Sequence, residues 1–484
     1  MKTINYILKS CVLLLTVSSI VACKDKLPEG IDSSDKYTEL KSIKLLNAGE
    51  NGDLVLEGVI DQDKKLVTFP RIDPLTDFSA LKFEAVVSDG AVLEQNTYSI
   101  QFGEGQTERS IVFKVVNSPR TGEYLSKIAL KLPPIGAEFS TPSIYDFTNN
   151  PIGNPLYPTY VGQLTRSAGF DGKHVLVVSR QGGTNPHLLK VSDLKQGIIN
   201  KMDVNTTGMG VGTFAIETGA LIGGDMIVTN LSGSWAFGHT LSMYYYEDYE
   251  TNYNKPPIKT SFNGDGVTQT RFGDNLSYNL DENGNGNIIS INNPSPAVIL
   301  RVSVSNFTQI TGAKLLPMPQ YTTLNMSYNR VGRTGEYIMT SYDIAMRVMD
   351  SEGSILYTDN GTVFPANLSD ARVLTFNGAR YLLALSVPRT GLLNTTLCLY
   401  DITPGKNVVE ALEFFAKKDP IDRHPIFEHS FDYTGNSGGA QIARTAWNII
   451  KDDEGNDSIL QIFGSLTDAG FAIVEFPKNV QYED

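Results

Sequence analysis

Ser437 stands in Gly435-Asn436-Ser437-Gly438-Gly439, a G-x-S-x-G spacing in which glycines let the backbone expose a nucleophilic hydroxyl. Such a serine needs a histidine base with a carboxylate behind it. No histidine follows Ser437, and His424 and His429 lie close upstream on the same stretch of chain, so a turn accounts for the glycines. Gly210-Val211-Gly212-Thr213-Phe214-Ala215 has the G-x-G-x-x-A spacing of a dinucleotide loop, but Asn205-Thr-Thr-Gly208 precedes it where a buried strand is required. Asp281-Glu-Asn-Gly-Asn-Gly-Asn287 offers the oxygens of a calcium loop, yet position twelve is Asn292 and the bidentate Glu is missing. Directly before Ile288-Ile289 this segment reads as a hairpin turn. The five histidines (His174, His187, His239, His424 and His429) show no metal-ligand spacing. No catalytic residue, metal or cofactor is therefore assigned. A glycoside hydrolase or lyase working through two carboxylates stays open as the alternative, because 53 acidic residues conceal which pair converges.

Lys2, Lys9 and the apolar run Cys11–Val21 make residues 1–22 a secretory signal, with a hydrophobic core too short to span a membrane in the mature chain. Its end, Ile20-Val21-Ala22-Cys23, resembles the bacterial lipobox, which assigns Cys23 as the lipidated residue. A multiply acylated cysteine holds a protein on a membrane where one chain would not. The expected location is the outer membrane, on its periplasmic or extracellular face. The whole chain carries a net charge of -13, and losing Lys2 and Lys9 makes it -15, so the anchor is lipid and not a basic patch, and nucleic acid is excluded as a partner. Cys398, between Leu397 and Leu399, reads as a buried small hydrophobe. Residues 23–37 read as a tether.

The elements that would position any site are strands. Seven short β-runs between residues 38 and 133, separated by turn residues, suit an immunoglobulin-like β-sandwich. Prolines 133, 134, 142, 151, 155 and 158 mark residues 134–158 as a linker and propeller entry. Beyond it a Gly-led apolar run recurs at Gly172, Gly224, Gly286, Gly335 and Gly378, and less regularly at Asp457. The interval suits the length of one propeller blade, and each run is flanked by further strands, which predicts a six-bladed β-propeller over 159–484. The last interval is longer and needs an insertion, and Val409, Leu412 and Phe415 share a helical face within Val408–Lys418.

This two-part all-β plan, with its lipobox and Gly-led hairpins, resembles surface lipoproteins of Bacteroidota that carry an N-terminal sandwich and a propeller of uncharacterised function. The resemblance implies polysaccharide capture at the outer membrane.

Loops joining the second and third strands of each blade share one face. They bring Arg180, His187, Asn230, Trp235, His239, Asn292, Tyr342, Asp343, Arg389 and Asp468 to that face as candidate ligand residues. Planar amides and carboxylates suit paired sugar hydroxyls, and an aromatic face suits C–H surface. The expected function is a lipid-anchored binding protein for a glycan or related ligand. A scaffold for another outer-membrane protein is a further alternative. In Tyr244-Tyr245-Tyr246, alternation sends Tyr244 and Tyr246 to one sheet face, as inter-blade packing.

Overall fold

The computed structural model describes residues 35–480 apart from 104–105, 133, 149–164, 181–183, 211, 234–239, 264–270, 293–296, 319–325, 342–343, 360, 366, 388–394 and 432–441. The signal segment, Cys23 and the Ser437 motif lie outside the described residues. The chain divides into two compact units between Pro134 and Ile135.

The first unit is all-β. Its strands are Leu40–Ala48, Leu54–Asp61, Leu66–Thr68, Leu81–Val87, Val92–Leu93, Thr97–Tyr98, Glu108–Asn117 and Arg120–Ala129. Where the sequence suggests two facing sheets, these strands form one hydrogen-bonded series, which runs from Val92–Leu93 through the 108–129 hairpin and the first three strands to Thr97–Tyr98. The link is parallel pairing of Leu66–Thr68 with Leu125–Lys127. Phe83 and Phe113, far apart in that series, pack with ring centroids 4.9 Å apart, so the sheet curls over its own apolar face. Leu81 and Phe83 are buried while Lys82 and Glu84 are exposed, the alternation that a one-sided sheet requires.

The second unit is a six-bladed β-propeller, each blade a four-stranded antiparallel sheet whose strands are called a to d from the axis outward. The a strands are Thr165–Phe170, Phe214–Ile222, Leu276–Leu280, Ser327–Arg330, Leu368–Phe376 and Ala443–Lys451, and each neighbours the next around the axis. The Gly-led runs are the b strands: His174–Ser179, Asp225–Leu231, Gly286–Ile291, Glu336–Ser341, Ala379–Ser386 and Asp457–Leu466. A blade this narrow cannot bury both faces alone, so the cores lie between blades, one hydrophobic cluster at each of the six interfaces. Tyr244 and Tyr246 fill the interface of blades 1 and 2, while Tyr245 turns to the next one. Cys398 is buried in blade 5, and burial pushes its thiol up to about 12.

Closure uses the proline-rich stretch, which is more than a linker. Ser143–Asp146 is strand d of blade 6, paired with Ala472–Glu475, and Phe147 stacks on Phe471 at 5.0 Å. The last blade therefore joins the two ends of the unit. The insertion in blade 5 is the helix Val408–Lys417, capped by Asn407 Oδ1 accepting from Glu410 N at 2.9 Å, with Val408, Ala411, Leu412 and Phe415 buried.

Candidate functional site in the propeller channel

The a strands are too splayed to pair as a sheet, so side chains bridge them. Asn275 and Asn279 of blade 3 donate to the carbonyls of Met326 and Tyr328 at 3.1 and 2.9 Å. Tyr328 N donates back to Ser277 Oγ at 2.8 Å, and Arg330 N to Asn279 Oδ1 at 2.7 Å. Blade 4 repeats the device toward blade 5, with Ser327 Oγ donating to Ser369 O and Asn329 Nδ2 to Ala371 O. Between blades 5 and 6, Thr445 donates from N and Oγ1 to Asp370 Oδ2, both at 2.7 Å, and Arg372 Nε donates to Thr445 O at 2.8 Å. Asn329 Nδ2 also donates to Asp370 Oδ1 at 2.7 Å, so both oxygens of this fully buried carboxylate are occupied. These bonds satisfy polar groups that the channel withdraws from water.

Two charged groups divide the channel along its axis. At the end where the b–c loops and the entries to the a strands lie, Arg180 Nε donates to Glu217 Oε2 at 2.6 Å, and its Nη2 reaches Glu217 Oε1 and Asp274 Oδ1. Arg271 Nη2 donates to Asp274 Oδ2 at 2.8 Å, and the Arg180 guanidinium lies over the Phe214 ring at 4.5 Å. Burial pushes the Glu217 carboxyl up to about 7, against the pull of Arg180. At this end Arg180 and Arg271 each meet a carboxylate of the protein itself.

The other half, toward the a–b hairpin turns, is open. A cavity of about 350 Å³ lies among Gly169–Phe170, Gly219–Ile222, Tyr278, Leu280, Arg372, Arg444, Thr445 and Trp447. A second, of about 290 Å³, shares Tyr278, Leu280, Arg372 and Trp447 and extends between the hairpins at Asp281–Glu282 and Arg330–Arg333. Trp447 is 37 % exposed. Tyr278 is fixed by hydrogen bonds between its hydroxyl and those of Thr218 and Thr229, at 2.7 and 2.9 Å. Arg444, 5 % exposed, has Nη1 and Nη2 buried with no hydrogen-bond partner among the described residues. An aromatic face, a held hydroxyl and two guanidinium groups thus line one connected space.

The sequence-derived candidates are placed differently. Arg180 is an internal ion-pair partner. His187, fully buried, hydrogen-bonds through Nδ1 to Asn185 O at 3.1 Å, and burial pushes its imidazole down to about 4. Asn230 and Asn292 brace the b–c connections of blades 2 and 3. Asn230 Oδ1 accepts from Ser242 N at 2.7 Å, and Asn292 Oδ1 accepts from Val298 N. Asp468 Oδ1 accepts from Thr165 N at 2.9 Å, joining blade 6 to blade 1. These five side chains are 10 % exposed or less and serve the scaffold. Trp235, His239, Tyr342, Asp343 and Arg389 lie outside the described residues. Gly210–Ala215 leads into an a strand at Phe214, without the strand directly before it, among the described residues, that a dinucleotide loop would require. Asp281 Oδ1 accepts from Asn283 N and Asn285 N at 2.9 and 2.8 Å, which commits it to the hairpin turn.

Trp447, Arg372, Arg444 and Tyr278 escape a loop-based reading because they sit on strands. A signal exists in the a strands: Asn275-Leu-Ser-Tyr-Asn279, Asn325-Met-Ser-Tyr-Asn329 and Asn367-Leu-Ser-Asp370 are one motif repeated in three blades. Charged residues in such strands face the axis.

No curated protein matches this chain. A crystal structure of a DUF4623 family protein from Bacteroides eggerthii DSM 20697 is similar at 35% identity and a TM-score of 0.69, covering 92% of this chain and 99% of that one. A subtype N10 neuraminidase-like protein of A/little yellow-shouldered bat/Guatemala/060/2010 is far more distant, at 7% identity and a TM-score of 0.38, covering 71% of this chain and 99% of that one. The family described as domain of unknown function DUF4623 matches residues 25–479, and the chain belongs to that family.

Proposed function

We propose that this protein is a lipid-anchored binding protein of the outer membrane, held by Cys23, whose propeller captures a saccharide at the a–b hairpin mouth of its channel. The N-terminal unit, immunoglobulin-like in this reading, is the spacer between anchor and propeller. The observation that carries the proposal is Trp447, a part-exposed indole on a strand, beside Tyr278 and Arg372 in a connected pair of cavities. A ring face receives the C–H surface of a sugar, and nearby fixed donors select its hydroxyls. Rigid strands hold these groups before the ligand arrives, so little ordering entropy opposes binding.

A glycan array probed with the full chain, followed by titration calorimetry on the strongest hit and a reducing-sugar assay, tests this. Trp447→Ala is expected to weaken the hit by roughly ten- to thirtyfold, the cost of about 1.5–2 kcal/mol for losing an interfacial aromatic anchor. Unchanged affinity in Trp447→Ala with loss in Trp235→Ala would move the site to the b–c loop face. Release of new reducing ends would replace the binding protein by a glycosidase.

A further inference from the structure

Resting on that reading, we infer that Arg444 and Arg372 form a receiving site for a carboxylate, so that the saccharide lodged in the channel is an acidic one. The contrast between the two ends of the channel is the first argument. Where this protein withdraws Arg180 from water, and Arg271 in part, it supplies Glu217 and Asp274 within hydrogen-bond distance. Arg444 is more deeply buried than either, yet its Nη1 and Nη2 make no hydrogen bond among the described residues. Asp370 does not fill the role, because its oxygens accept from Asn329 and from Thr445 twice, and it approaches Arg372 only at 3.8 Å.

Charge supplies the second argument. Two guanidinium groups line one cavity in a protein whose net charge is -13, and of the buried carboxylates that act on Arg444, Asp370 is held by Asn329 and Thr445 and Glu217 by Arg180. Burial depresses the Arg444 pKa, yet a guanidinium stays protonated near neutrality, so its charge is present without a hydrogen-bonded carboxylate among the described residues. Arg372 donates from Nε to Thr445 O, and both cavities reach its side chain. A guanidinium fork matches a carboxylate in plane and spacing, and withdrawn from water that match is strongest.

Size and surroundings narrow the anion to one carried by a sugar. The cavity of about 350 Å³ falls in the range of about 300–1,000 Å³ for small-molecule pockets, ample for one monosaccharide residue. Trp447 follows Arg444 closely on the same strand and lines the same space, so a ring stacked on the indole can direct its carboxylate inward.

The experiment titrates the full chain, by calorimetry at low salt, with D-glucuronate, D-galacturonate, their methyl esters and sodium sulfate. At least one uronate is expected to bind ten times or more tighter than its ester, a preference that Arg372→Gln and Arg444→Met each reduce to threefold or less. Arg372 is part-exposed, so its variant reads the site even if Arg444→Met disturbs the fold. Equal binding of acid and ester that still depends on Trp447 overturns the carboxylate site while the saccharide-binding reading stands. Sulfate binding as tightly as any uronate, unaffected by Trp447→Ala, overturns the acidic saccharide and leaves an inorganic anion as occupant. Failure of all the probes overturns both readings.

Discussion

Asp370 offers the sharpest test of how the channel is held. Its carboxylate accepts from Asn329 Nδ2, Thr445 N and Thr445 Oγ1, all at 2.7 Å, and tethers a strands of three blades with no exposure to water. Asp370→Ala leaves those donors buried and unpaired and removes the nearest negative charge from Arg372 and Arg444. Truncating one side of a buried charged network costs about 3–5 kcal/mol. Asp370→Asn keeps one acceptor oxygen and the volume, so about half that loss is expected, consistent with about 1.5–3 kcal/mol for a hydrogen bond to a charged group. The propeller unit runs from Ile135 to Val480. At about 2.1 cal/mol/K per residue its unfolding entropy is roughly 0.7 kcal/mol/K, so Asp370→Ala should lower Tm by about 4–7 °C and Asp370→Asn by about 2–4 °C. Scanning calorimetry resolves both. Adding Arg444→Met to Asp370→Ala should recover part of the loss, because the buried cation that feels the Asp370 charge is removed with it. A Tm shift for Asp370→Ala below about 1 °C, far short of the entropy-based expectation, would refute the network, and strict additivity in the double variant would refute the coupling to Arg444.

Three other consequences can be measured directly. His187 is fully buried, and burial lowers its imidazole from 6.5 to about 4, so the unfolded chain binds the extra proton between those values and the folded one does not. Stability should therefore be intact above about pH 6.5 and fall by up to about 3 kcal/mol as pH drops to about 4, and His187→Asn should flatten that part of the pH–Tm curve. Phe147→Ala removes the ring stacked on Phe471 at the closing blade and is expected to cost about 3–5 kcal/mol, or about 4–7 °C in Tm. A shift below about 1 °C would show that closure does not depend on this pair. Cys23→Ser should move the protein from the membrane fraction to the soluble fraction and abolish incorporation of labelled fatty acid; unchanged sedimentation would exclude the lipid anchor.

Five of the six b strands are legible in the sequence as apolar runs opened by a glycine, the sixth opening at Asp457, and a run buried on both faces needs no alternation to be seen. Gly172 shows why the opener is glycine: its φ of 89° suits no branched side chain, and a Cβ would strike Asn448 of the last blade. The d strands are harder to see. Met202–Asp203 and Ile355–Thr358 are too short for any period, and they exist because strand c offers a free edge. Ser143–Asp146 looks like linker because its partner, Ala472–Glu475, lies at the opposite end of the unit's sequence, and local pattern carries no information about such pairing. The candidate site divides the same way. Reasoning from loops selects Asn230, Asn292 and Asp468, residues at the ends of b strands, where an amide or carboxylate is needed to cap backbone groups that the blade leaves unpaired. The channel residues obey a different rule. An a strand has neighbours on both sides and the axis in front, so a long charged side chain within it, as in Leu368-Ser-Asp-Ala-Arg372 or Ala443-Arg-Thr-Ala-Trp447, has nowhere to go but the channel. There it must find a protein partner, as Arg180 does, or wait for one that the protein does not supply.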